Sequence, residues 1–149
     1  MTTLDRDGVD MISLNDDALE KFLKETTRIA VVGLSTDPSK ASHEVASYLV
    51  KADYTLYPVN PKADEILGRP VYRSLSEIKD PIDIVDIFRR SEDVAPFVDE
   101  AIAIGAKAVW LQLGITDPIA EQKALDAGLI VVSDHCLKIE HRRLLGGYQ

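Results

Sequence analysis

The chain has one cysteine among its 149 residues, so no intrachain disulfide can form and a reducing compartment is expected. Basic side chains are outnumbered: 17 Lys and Arg face 25 Asp and Glu, a formal net charge of −8. Such a surface repels polyanions on average, which argues against a nucleic-acid role. No apolar run reaches the ~18 residues that a membrane helix needs, so no membrane association is expected. Met1 to Asp10 is acidic and polar and lacks the basic start and apolar run of a signal peptide. These absences predict a cytoplasmic protein. The P-loop pattern Gly-x-x-x-x-Gly-Lys is also missing, which disfavours ATP hydrolysis. No nucleophile elbow, internal repeat or low-complexity tract is present.

What is present is a chain 46% hydrophobic, of a length suited to one domain with one core. Residues 1–14 read as a tail and 15–149 as the domain. Asn15 is placed to cap a helix whose apolar face is Leu19, Phe22 and Leu23. Ile29-Ala30-Val31-Val32 is a continuous apolar run of the kind that forms a parallel strand covered on both faces. A helix over about 41–51 follows, then a strand at 55–59 and a short strand near Pro70-Val71-Tyr72. Ile82–Phe88 reads as another strand. Ser91 is placed to cap the helix after it, and Gly105 to end that helix. Strands at 108–111 and 129–132 flank a helix opened by Asp117-Pro118, and a helix from about His135 to Leu145 ends the domain. The alternation predicts a three-layer Rossmann-like α/β domain with a mainly parallel sheet and helices on both faces. Ligands of such sheets bind beyond the carboxyl ends of the strands, so the residues just after each strand are the ones that count.

After the first apolar strand comes Gly33, then Leu34 and Ser35, where a phosphate can approach the backbone and the N-terminus of the next helix. Ser35, Thr36, Ser39 and Ser42 add hydroxyls, and Lys40 adds positive charge. A dinucleotide fingerprint needs three glycines, and this loop has only the first. An NAD site also wants an acid after the second strand to hold the ribose hydroxyls. Here Val59 is followed by Asn60, Pro61 and Lys62, with no acid and one base. That points to a ligand with a phosphate on its ribose, either CoA or NADP, and the residues alone do not separate the two.

The runs Ile29–Ser35 and Tyr57–Lys62, with Asp134–His141 near the end, resemble the bacterial and archaeal CoA-binding domain proteins. These are small stand-alone relatives of the CoA-binding domain of succinyl-CoA synthetase α subunits. The resemblance implies a Rossmann-like fold with CoA in the strand-end crevice. It implies that Gly33, Leu34 and Ser35 line the pyrophosphate and that Lys62 meets the nucleotide. It puts Phe88 and Arg89 after the strand bordering adenine and pantetheine. The synthetase has small and proline-rich residues where this chain has Phe88-Arg89-Arg90. Its catalytic histidine lies in a second domain that has no counterpart here, so ligase chemistry is not carried over.

Cys136, the only thiol, has two readings: exchange with the CoA thiol or redox sensing, and a buried cysteine packing the last helix. His135, Glu140 and His141 lack the spacing of a closed zinc site, so no metal is expected. Arg89 and Arg90 suit either a phosphate or surface pairing with Glu92 and Asp93. Asp83 and Asp86 fall on opposite faces of a strand, which disfavours a carboxylate dyad. Trp110 reads as a core anchor. The expected function is therefore a CoA- or acyl-CoA-binding protein without catalysis of its own, its oligomeric state left open. The alternatives are an NADP-dependent oxidoreductase of reduced size and a redox-responsive protein acting through Cys136.

Overall fold

The computed structural model describes residues 11–147, so most of the expected tail lies outside the described residues. Its end is a correction. Met11–Ile12 forms strand β1, antiparallel to the last strand. Burial of Met11 and a pair of bonds through Ser13 hold it there: the Ser13 N–H donates to the Val131 carbonyl, and the Ser13 hydroxyl accepts from the Val131 N–H, both at 2.9 Å. Asn15 caps α1 (Asp16–Glu25) as expected, accepting from the Ala18 N–H at 2.8 Å.

The central unit is parallel. Strand β2 (Arg28–Val32) leads through the Gly33 loop into α2 (Ala41–Lys51) and then β3 (Thr55–Val59). A small hairpin follows, made of β4 (Glu65–Ile66) and β5 (Arg69–Pro70). The strand expected near residues 70–72 is thus shifted, and Tyr72 makes only a single parallel bridge to Val59. The chain then crosses β2 to form β6 (Ile84–Ile87), α3 (Ala95–Ala103), β7 (Ala108–Leu111), α4 (Pro118–Asp126), β8 (Ile130–Ser133) and α5 (Leu137–Leu145). The six-stranded order is β1-β8-β7-β6-β2-β3. Pro58 lies in β3, the edge strand, where its missing N–H costs no ladder bond.

Two starts differ from expectation. Ser91 does not cap α3. Residues Ser91–Asp93 form one 3₁₀ turn, α3 begins at Ala95-Pro96, and the Ser91 hydroxyl accepts from the Thr116 N–H at 3.1 Å. Proline is well tolerated at a first helical turn, which suits that later start. The last helix begins at Leu137 rather than near His135, because Trp110 Nε1 donates to the His135 carbonyl at 2.9 Å and holds it out of the helix.

Alternate residues of each strand serve two cores. Ala30, Val32, Val85, Ile87, Val109 and Val131 face α3 and α4. Ile29, Val31, Ile84, Trp110 and Val132 face α1, α2 and α5. Trp110 is fully buried, as a core anchor should be. The domain is a three-layer Rossmann-like fold with helices on both faces. Its strand order reverses between β2 and β6, which makes their carboxyl ends the topological switch point.

Candidate functional site at the switch point

The residues after β2, β3 and β6 converge on one crevice of about 730 Å³. Gly33, Leu34, Ser35, Asn60, Pro61, Lys62, Phe88 and Arg89 line it. Gly33 is the point of closest approach. It has φ +81°, and a Cβ there would lie 2.4 Å from the Phe88 carbonyl oxygen. Only glycine lets the first loop pass so close to the end of β6. The Gly33 N–H is itself engaged by the Val59 carbonyl at 3.1 Å.

The loop is held open by its own side chains. The Ser35 N–H donates to the Ser42 hydroxyl at 3.0 Å, and the Ser35 hydroxyl accepts from the Asp37 N–H at 3.0 Å. The Asp37 carboxylate accepts from the Ser39 N–H and hydroxyl, and these bonds hold it below the usual carboxylate range. Among the described residues, these bonds leave the Leu34 and Thr36 N–H groups without an acceptor. Backbone donors at the entrance to a helix suit an anion.

Asn60 has a role that sequence reasoning missed. Its Nδ2 donates to the Leu34 carbonyl at 2.9 Å, while its Oδ1 accepts from the N–H groups of Lys62 at 2.7 Å and Ala63 at 2.9 Å. It therefore ties the β2 loop to the β3 loop and sets the turn that carries Lys62. An aspartate could not donate to the Leu34 carbonyl. That accounts for asparagine where an NAD site would have an acid. Lys62 is exposed at the crevice and forms no ion pair among the described residues.

Four expected site residues lie outside this lining, Cys136 in a neighbouring cavity and three in neither. Val59 is buried in the core and contributes its carbonyl to Gly33. Ser42 is buried and supports the Ser35 backbone. Lys40 is the exposed residue preceding α2, and its side chain makes no cap bond. The two arginines divide. Arg90 pairs with Asp93 at 3.0 Å and with Glu92 at 3.7 Å. Arg89 reaches Asp93 only at 4.0 Å and lies over the Phe97 ring at 5.6 Å.

A second cavity of about 410 Å³ adjoins the first and shares Phe88, Arg89 and Arg90 with it. Cys136, half-buried before α5, lines this cavity with Val45, Leu113, Ile115 and Ile139. Gln112 closes its floor, accepting from the Leu137 N–H at 3.1 Å. Phe88, Arg89, Arg90 and Cys136 in this wall were singled out from the sequence, whereas Val45, Ile115 and Ile139 were not. Ile139 carried one available signal, an apolar side chain off the buried face of α5 that contains Leu137, Glu140 and His141.

Other polar residues lie away from these cavities. Asp86 is fully buried on β6 and neither carboxyl oxygen has a partner among the described residues, so burial pushes it well above the ordinary carboxylate range. His141 is buried against Tyr48, with Tyr48 Oη 2.7 Å from its Nδ1. Among the described residues no three His, Cys, Asp or Glu side chains are grouped to hold a metal, and no helix is long and apolar enough to cross a membrane.

Comparison with known proteins gives a consistent set. The family described as CoA binding domain matches residues 27–142. An uncharacterized protein of Bacillus subtilis is 41% identical over 123 residues, 83% of this chain and 91% of that protein. The solved structure of a hypothetical protein from Pyrococcus horikoshii superposes with a TM-score of 0.87 at 40% identity, covering 98% of this chain and 99% of that one. An ADP-forming acetate–CoA ligase of Methanocaldococcus jannaschii is 29% identical over 98 residues, which are 65% of this chain and 14% of the ligase.

Proposed function

This chain belongs to the CoA-binding domain family, and from that premise we propose that it is a small cytoplasmic protein that holds CoA or acyl-CoA at the switch point, with no catalysis of its own. The observation that carries this reading is the convergence of Gly33 and the Asn60-Pro61-Lys62 turn on one crevice. In this reading the pyrophosphate meets the loop from Gly33 to Thr36. Lys62 meets the ribose phosphate, and Phe88 and Arg89 border the start of the pantetheine arm. Ser42 and Val59 act from behind, as supports of the loop, and Lys40 adds positive charge at its rim. Cys136 sits beside the path of the thiol end, in the adjoining cavity.

Lys62 suits the 2′-phosphate of NADP as well as the 3′-phosphate of CoA, so the test must include both. Calorimetric titration with CoA, 3′-dephospho-CoA, NADP and NAD separates them. CoA should bind, and Lys62→Ala should weaken CoA by roughly tenfold, the loss of one exposed charge contact. The same variant should leave 3′-dephospho-CoA nearly unchanged. Tight NADP binding without CoA binding would overturn the reading, and equal losses for both CoA forms would remove Lys62 from the phosphate.

A further inference from the structure

Two of the large exposed hydrophobic side chains, Leu113 at 66% and Ile139 at 54%, flank the second cavity from different elements. Leu113 lies in the loop after β7 and Ile139 in the first turn of α5. Between them the wall continues through Val45 and Ile115. Apolar groups held in water on both sides of a concave site mark a subsite for an apolar ligand group.

The polar groups around this space are already engaged. Gln112 Oε1 holds the Leu137 N–H, Glu44 pairs with Lys138 at 3.5 Å, and Arg90 pairs with Asp93. Arg89 belongs to the wall shared with the first crevice. Glu44 lines this cavity together with Leu113 and Ile139, and the cation beside it, Lys138, is already paired with it. Phe88, Arg89 and Arg90 line both cavities, so a ligand lying in the first crevice lies beside the second.

We infer that the second cavity is the acyl subsite of this protein, and that it selects acyl-CoA with a hydrocarbon acyl chain over CoA itself and over acyl groups ending in a carboxylate. This rests on the reading that CoA occupies the first crevice, and it names the class of thioester carried there. The chemistry is plain: a hydrocarbon tail removes the exposed faces of Leu113 and Ile139 from water, whereas a terminal carboxylate would be desolvated beside Glu44 and would have to compete with that glutamate for Lys138.

The test is competitive calorimetry with CoA, acetyl-CoA, hexanoyl-CoA and succinyl-CoA on the intact protein. Each methylene fully buried strengthens binding by roughly fourfold, so with partial burial hexanoyl-CoA should bind at least about tenfold tighter than acetyl-CoA. Succinyl-CoA should bind no better than acetyl-CoA. Ile139→Asp, a change at an exposed position, should bring the hexanoyl-to-acetyl affinity ratio close to one. Equal affinities for all four ligands would overturn the acyl subsite while leaving CoA binding intact. Succinyl-CoA binding as tightly as hexanoyl-CoA would overturn the hydrocarbon selectivity. Failure of every CoA species to bind would instead overturn the function proposed above, and this inference with it. If apolar packing is the cause, Ile139→Leu should keep the ratio, and its loss in that variant would count against the subsite.

Discussion

The two ends of the parallel sheet are built from the same strands and treat polar groups in opposite ways. At the amino end, Asp83 stands just before β6 and is used up. Its carboxylate accepts from the Thr27 N–H at 2.8 Å and the Arg28 N–H at 3.0 Å, and pairs with Lys107 at 3.4 Å. Burial acts to raise this carboxyl, and those partners outweigh it and bring it below the ordinary carboxylate value. At the carboxyl end, the Leu34 and Thr36 N–H groups and the Lys62 ammonium, without partners among the described residues, are left at a crevice. One end spends its polar groups on closing the fold, and the other leaves several of them open at the crevice. The separation allows the binding loops to vary without loosening the sheet that carries them.

The comparison can be broken most severely at Gly33. Gly33→Val forces a Cβ into the Phe88 carbonyl at a φ that valine resists, and should cost at least about a hundredfold in CoA affinity. Titration of the purified variant checks this, and retained affinity would mean that the close approach is not needed. The opposite end is probed by Asp83→Ala. It leaves the Thr27 and Arg28 N–H groups without their acceptor and should cost about 1–3 kcal/mol of stability in a denaturant melt. CoA affinity should stay within about twofold, a margin below the tenfold that 1.4 kcal/mol represents. A parallel fall in affinity would show that the two ends are not independent.

The smallest effect concerns pH. Burial lowers the His141 pKa below the ordinary 6.5, so the native state resists its protonation. Its contribution is present above about pH 6.5, the unfolded value, and is lost as pH falls through the lower folded value. Melting temperature measured from pH 7 to pH 5 should therefore decline less steeply in His141→Gln. Identical profiles would assign the acid sensitivity to other groups.

The parallel strands of the sheet were legible because they are buried on both faces and read as unbroken apolar runs, such as Ile29–Val32, whereas the two-residue β1 was read as tail. Helix α2 was legible from a different signal, the helical spacing of Val45, Ala46 and Leu49 on one face. The misread starts of α3 and α5 have a different origin. Ser91 is a good cap by type, yet it serves the Thr116 backbone, and Trp110 holds the His135 carbonyl from another strand. Both partners are distant in sequence. The first crevice was read from Gly33 and Lys62, because a strand followed by glycine or by a turn is a local pattern. The second cavity draws its wall from α2, the loops after β6 and β7, and α5, and no local pattern records that meeting. Asn60 was noticed for not being an acid, while its function as a brace depends on the Leu34 carbonyl, 26 residues away.

Pro58 and strand β1 have a consequence of another kind. An open sheet presents two margins at which a foreign strand can be added, and such margins seed aggregation. Here one margin carries Met11–Ile12 laid antiparallel on β8, and the other strand, β3, contains a residue that cannot donate. Templated growth is thereby discouraged on both sides. Strand addition is therefore a poor route to self-association of this domain.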